Sequence, residues 1–329
     1  MTTLWKRIRT TVGMAAFALS SHAAGADGFP SHPITIIVPF AAGGPVDIVA
    51  RTLAEPMSRI LKQPVLIDNT AGAGGSVGTT KAARAPADGY TLVLGHSGTH
   101  AFNQALYPKL PYRPLEDFRA IALVASMPSV LSVKAAAPFD DIAGLLAYAR
   151  KNPGKLNFGT AGAGSVSHLA AAMLVDAAKI EVTFVPYRGS NPAFTDLIAG
   201  NIDALFDTSV QAIPQIKGGR VRPLAVTAPQ RLDSLPKIPT LEEACCRNLS
   251  LEIWYGLFAP RGTPEPVVKA LEAAVLASLA DRNYRTTMLS ANVHIPEIAK
   301  ANSSDFEATV RRDIVRFGAL AQRANLRAD

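Results

Sequence analysis

Four stretches hold residues whose types and spacing could do chemistry. In Pro39-Phe40-Ala41-Ala42-Gly43-Gly44-Pro45-Val46-Asp47 the paired glycines let backbone approach a ligand closely, and Pro45 suits a first helical turn. A helix starting there offers unpaired N–H groups and a partial positive charge, which is an anion site. Gly159-Thr160-Ala161-Gly162-Ala163-Gly164-Ser165 has the same grammar and leads toward His168. Ser165 could cap that helix or bond a ligand oxygen. Gly72-Ala73-Gly74-Gly75-Ser76-Val77-Gly78 is either a cleft wall or a flexible turn. Gly95-His96-Ser97-Gly98-Thr99 nearly spells the G-x-S-x-G nucleophile elbow, and chain order permits Ser97, Asp207 and His294 as a triad.

Each enzymatic reading is incomplete. Thr99 stands where the elbow needs its final glycine, and there is no HGGG-type oxyanion loop. A hydrolase is therefore the secondary reading, and the preferred one lets the Ser97 and Thr99 hydroxyls face a cleft. The 159–165 loop falls short of a dinucleotide fingerprint. Ser167 stands where a third Gly or Ala belongs, and no acidic residue ends a strand about 20 positions on. No Walker lysine follows any glycine loop, so a P-loop is excluded. His96 and His100 have a zinc-compatible spacing, but Ser97, Gly98 and Thr99 make a poor helix interior and no third ligand is evident. Neither a metal nor a cofactor is expected. Asp207 either caps the next turn or meets a ligand ammonium or hydroxyl. Cys245 and Cys246 are adjacent, either bridged or two thiols, with no function assigned.

The elements that must position these loops alternate. Apolar runs at 34–40, 65–69 and 90–94 read as strands around helices at 46–61 and 77–85. The pattern restarts with a helix at 142–151, stopped by Asn152-Pro153-Gly154. Strands at 156–159, 182–186, 202–206 and 221–227 then enclose helices at 168–178 and 192–199. Such alternation predicts an α/β fold with mostly parallel sheet in two units. Two β-rich segments, 121–133 and 251–260, are the seams where the chain crosses and returns. Helices at 264–279 and 304–324 would pack back on the first unit. Two lobes with two crossings make a hinge with a cleft.

Of 329 residues, 48% are apolar and 18% charged, which excludes a disordered chain; two cysteines exclude a disulfide scaffold. Lys6, Arg7 and Arg9, the apolar run 11–20 and the small residues before Asp27 read as an export signal cut after Ala23 or Ala26. The run is too short to span a bilayer, and no later segment is long and apolar enough. The formal charge of +7 drops to +4 without the signal's three basic residues. There is no basic run with interleaved aromatics, so nucleic acid is not an expected partner, while a mild positive field favours small anions.

These loops, in this order, resemble the Bug-type (TctC-like) solute receptors of tripartite tricarboxylate transporters. The matching stretches are PITIIVPFAAGGPVD (33–47), AGAGGSVG (71–78), ADGYTLVLG (87–95), PYRPLEDF (111–118), NPGKLNFGTAGAGS (152–165), VPYRGSNPAFTDLIAGNIDALFD (185–207), LAVTAPQRLDSLPKIPTLEEA (224–244) and WYGLFAPRGTP (254–264). The resemblance covers nearly the whole mature chain. It implies a type II-like periplasmic binding protein of two Rossmann-like domains, 27–125 plus 254–329 and 126–253. It also implies a monomer that closes on a small carboxylate, a di- or tricarboxylate, acidic amino acid or aromatic acid, and delivers it to membrane transporter subunits. Carried onto this chain, the ligand residues of the first lobe are Phe40, Ala41, Gly43, Gly44 and Asp47, with Ser97 and Thr99. Those of the second are Thr160, Ala161, Gly162, Ser165, His168, Tyr187 and Asp207. Cys245-Cys246-Arg247-Asn248 depart from the family's usual glycine and proline. The alternatives are an exported serine hydrolase using Ser97 and a sensor with the same fold.

Overall fold

The first apolar run becomes β1 (Ile34–Val38), buried at four of its five positions, as a strand covered on both faces must be. The computed structural model describes residues 28–247 and 249–327, so the export signal lies outside the described residues. The first half continues through α1 (Pro45–Leu61), β2 (Val65–Asn69), α2 (Ser76–Ala83), β3 (Thr91–His96) and the short α3 (Asn103–Leu106). After β4 (Phe118–Lys134) come α4 (Ile142–Lys151), β5 (Asn157–Thr160), α5 (Val166–Ala178), β6 (Thr183–Pro186) and α6 (Ser190–Ala199). They are followed by β7 (Ala204–Thr208), α7 (Ser209–Lys217), β8 (Val221–Val226) and α8 (Leu241–Ala244). The chain returns by β9 (Glu252–Pro260) and ends in α9 (Glu265–Leu279), α10 (Arg282–Ser290) and α11 (Ser303–Arg323).

The strands lie in the order β2-β1-β3-β9-β4-β7-β5-β6, with β8 also on β4. The sets β2-β1-β3 and β7-β5-β6 are parallel, each made by right-sized helical crossovers. They are joined by β9 and β4, which pair antiparallel with their neighbours. β4 is the element that links the halves. Phe118–Pro128 pairs with β9, and from Ser129 onward the strand pairs with β7 and β8. Pro128, which lacks an N–H, stands at the change of partner. The two β-rich segments expected as crossings are thus the two long neighbouring strands. Most buried apolar residues form one cluster under both halves, with a smaller one around Phe194, Leu205 and Ile213.

Beside that change of partner, His294 Nδ1 lies 2.6 Å from Glu252 Oε1, and the Ser126 hydroxyl donates to Glu252 Oε2 at 2.8 Å. The bond to Glu252 raises His294 above its ordinary 6.5, against the pull of burial. A raised folded pKa gives stability that is complete below the unfolded value and lost as pH rises through the folded one. The melting temperature of the native chain should therefore fall, relative to Glu252→Gln, as pH rises above about 6.5. Parallel melting curves at each pH check this; equal slopes would refute it.

Candidate functional site

β1 delivers Phe40 to the start of α1. Gly44 is the N-cap in extended conformation without a side-chain cap, and Pro45 is the first helical residue. Asp47 turns back on its own loop. Its Oδ2 accepts from Gly43 N–H and Arg51 Nε–H, both at 2.9 Å, and its Oδ1 accepts from Asn69 Nδ2 at 2.9 Å. Asn69 Nδ2 also lies 3.2 Å from the Phe40 carbonyl. Burial alone would raise Asp47, but the bonds from Arg51, Gly43 and Asn69 outweigh it and hold the carboxyl below the ordinary range. Asp47 thus shapes the loop with a carboxylate already engaged. Asn69, absent from the sequence-based list, ends the parallel strand next to β1, which is the signal that could have found it.

β3 delivers the 95–99 stretch, and here two expectations change. The poor helix interior is in fact a wide helical turn, Gly98–Phe102, continuing into α3. His96 Nδ1 accepts from Gly98 N–H at 2.8 Å, and both His96 and His100 are buried and pushed down to about 3 by that burial. No group of three metal-binding side chains exists among the described residues. The hydroxyls are also engaged inside the fold. Ser97 Oγ accepts from Trp254 N–H of β9 at 3.1 Å, and Thr99 Oγ1 lies 2.9 Å from His100 Nδ1 and 3.1 Å from the His96 N–H it accepts. Ser97, Asp207 and His294 form no triad, since His294 is bound to Glu252. Ser97→Ala should cost about 1 kcal/mol of stability, and a fluorophosphonate probe should leave the native chain unlabelled in mass spectrometry.

In the second half, β5 delivers Thr160 and α5 starts after Ser165. Ser165 Oγ accepts from His168 N–H at 3.3 Å, a normal N-cap. Ser167 Oγ accepts from Ala161 N–H at 2.7 Å and meets Ser165 Oγ at 2.9 Å. Ser167 therefore does the loop-closing that a fingerprint glycine cannot. His168 Nδ1 accepts from Gly164 N–H at 3.2 Å, and burial pushes the ring down to about 4, so it is neutral at pH 7. Tyr187 N–H donates to Thr160 O at 2.8 Å, while its hydroxyl is committed to Asp196 at 2.6 Å. Asp207 is the penultimate residue of β7, just before α7, a helix not expected from the sequence. Its Oδ1 accepts from Thr208 N–H at 2.7 Å, and its Oδ2 has no partner.

The loops of the two halves meet. Tyr107 O–H donates to Ala163 O at 3.0 Å, and Gln211 Nε2 donates to Gly43 O at 3.3 Å. A methyl on Gly98 would come 2.5 Å from Gly164 O, and one on Gly74 would overlap Ala163 O. Phe40 stacks on His96 at 4.9 Å, and His96 meets Tyr255 of β9 edge-on at 5.8 Å. Phe40, the 41–44 loop, Thr160–Ser165, His168 and Asp207 are thus assembled around one seam. Asp47, Ser97 and Thr99 stand behind it as supports. The N–H groups of Ala41, Ala42, Gly162 and Ala163 have no partner among the described residues. Tyr107, Gln211 and Ser167 are contributors that sequence reasoning missed.

The chain matches the model of the tripartite tricarboxylate transporter family receptor over residues 49–326. The chain belongs to that family. The UPF0065 protein in the tcbD-tcbE intergenic region of Pseudomonas sp. strain P51 is 42% identical over 276 residues, 84% of this chain and 82% of the relative. The solved structure of the periplasmic binding protein BugD covers 91% of this chain and 100% of its own, at 36% identity and TM-score 0.85. MatC from Rhodopseudomonas palustris, solved with malate, covers 89% and 99% at 38% identity and TM-score 0.84. A second protein from R. palustris, solved with adipate, covers 91% and 100% at 32% identity and TM-score 0.85.

As a member of the tricarboxylate receptor family the chain is a solute-binding receptor and not an enzyme, which sets aside the Ser97 hydrolase. Its α/β fold is that of the periplasmic binding proteins. No helix among the described residues is long and apolar enough to cross a membrane. Cys245 and Cys246, where the sequence departs from the family pattern, are bridged just after α8.

Proposed function

We propose that the protein is an exported, periplasmic receptor that closes two lobes, 27–125 with 254–329 and 126–253, on a small carboxylate. It then presents the ligand, as a monomer, to the membrane subunits of a tripartite transporter. The observation that carries this is the pair of glycine loops at helix starts with unpaired N–H groups, the Arg51 guanidinium beside the first of them being tied to Asp47. Such a cradle holds an anion by oriented N–H groups and helix dipoles, each worth about 0.3–1 kcal/mol when exposed. It gains as the closing seam excludes water. Relatives solved with malate and with adipate support a carboxylate as the ligand class. Because the ligand bridges both lobes, it favours the closed state by its differential affinity.

The test is a melting scan and Trp254 fluorescence titration of the mature chain with malate, adipate, succinate, citrate, aspartate and benzoate. Trp254 lies on β9, with its indole N–H on the buried Asp313 at 2.7 Å, so it should register closure. A true ligand at 100 times its Kd adds about 2.7 kcal/mol, roughly 5–10 °C at this size. A folded, ligand-stripped protein silent to the whole panel would reject the carboxylate reading.

A further inference from the structure

One buried group in the seam is left over by everything described so far. Asp207 is only 1% exposed, and its Oδ2 has no well-formed hydrogen bond, although the Ser190 hydroxyl lies close enough to favour the ionised form. Oδ1 is already satisfied by Thr208, so the arrangement around Oδ2 is one-sided. No cation neutralises the carboxyl from any element packed against β7. On α5, His168 is held neutral and Asp176 is bound to Lys179 and Arg323. On α6, Asp196 is bound to Tyr187 and Asn201, and Ser190 is the polar group near Asp207. On α7 the one charge, Lys217, is the last helical residue. On β4, Lys134 is at the far end, paired in register with Val221, and β5 carries no charge. On β9, Tyr255 feels Asp207 and is kept protonated, chiefly by burial, while Glu252 is bound to His294.

An unpaired carboxylate oxygen in such a place is costly, whereas the acid form carries an O–H that needs an acceptor. The ligand class proposed above supplies that acceptor. We propose that Asp207 enters the closed complex as a neutral carboxylic acid and donates its proton in a hydrogen bond to the bound carboxylate. The receptor therefore takes up one proton from solvent with each ligand anion. This rests on the reading of the seam as a carboxylate site. An ionised Asp207 beside the ligand would instead put two anions together with no cation acting on Asp207. The α7 helix start favours negative charge there, but that charge is then the ligand's. Burial already pushes the Asp207 acid up to about 6 in the free protein, so the acid form is within reach at mild pH. The short O–H···O⁻ bond that results is of the strong, charge-assisted kind.

The experiment measures malate and adipate affinity from pH 5.5 to 8 by calorimetry, in two buffers of different ionisation heat. For the native chain, affinity should fall toward tenfold per pH unit above about 6, with proton uptake approaching one per ligand. Asp207→Asn keeps an N–H donor but cannot ionise, so it should lose both the slope and the uptake. A flat native profile with no proton uptake overturns the proposal. So does aspartate binding that strengthens with pH and vanishes in Asp207→Asn, which would make Asp207 a counter-ion to a ligand ammonium. Carboxyl titration by NMR of the free protein, native against Asp207→Asn, separates the two readings. A group of ordinary pKa at Asp207 rejects the proton-donor role alone. A raised group in a protein that binds no carboxylate at any pH rejects the carboxylate site, and the proposal with it.

Discussion

Gly74→Ala is expected to weaken ligand binding by about 10- to 100-fold while leaving a folded protein. Gly74 has φ +60° and sits where the third glycine loop meets the second half of the chain. An added methyl would overlap the Ala163 carbonyl, a backbone atom that cannot swing away, and would stand 3.2 Å from the Tyr107 hydroxyl. The overlap exists only while the two halves touch. Overpacking of this kind costs about 1–3 kcal/mol, and every 1.4 kcal/mol is a factor of ten in affinity. The open form bears only the left-handed strain, about 1 kcal/mol. The measurement is a calorimetric Kd beside a ligand-free melting curve. An unchanged Kd would show that these two loops do not approach in the bound state.

Asp47→Ala is expected to lower stability by about 2–4 kcal/mol, since hydrogen bonds to a charged group contribute about 1.5–3 kcal/mol and three donors share this one. That is a fall of roughly 4–16 °C in melting temperature. Gly43 N–H and Asn69 Nδ2 lose their acceptor, so the 40–44 loop loses the tie that sets its shape. Arg51 is half exposed and turns to solvent at little cost. The pH dependence carries a sign. Asp47 is depressed below its ordinary 3.8 in the fold, so its contribution is present above that value and disappears as pH falls through the folded one. Native and variant melting temperatures should differ at pH 7 and converge well below pH 4. Equal melting temperatures at pH 7 would mean the carboxylate organises nothing.

The sequence was most readable where one physical cause dominates. β2 and α4 fall on the residues expected from apolar runs and a strong stop signal. The same holds for the glycine loops at the carboxyl ends of β1 and β5. The Gly98–Phe102 turn was not readable, because Gly98 and Thr99 are poor helix formers and the turn is held by buried His100 and Phe102. α7 was hidden by Pro214, and α10 by its polar run, although Asp281 caps it through Asn283 and Tyr284. At the loops, free main-chain N–H groups were legible from glycine placement. Side-chain duties were not. Asn69, Ser167, Tyr107 and Gln211 are ordinary polar residues whose roles exist only because a distant atom faces them. Asp47 and Ser97 read in a line of sequence as ligand groups, and only the fold shows that Arg51 and Trp254 also engage them.

The long shared strand has one more consequence. A hinge made of linkers would be the first part of the molecule to exchange its amide protons. Here the halves are joined by β4 laddered to β9, running through the middle of the sheet with most of their side chains buried. On the proposed two-lobe closure, opening would be a small twist spread over many intact rungs of this ladder, parting the Tyr107–Ala163 and Gln211–Gly43 bonds between the loops. Deuterium should enter β4 and β9 last of all, and the 40–44 and 161–164 loops among the first.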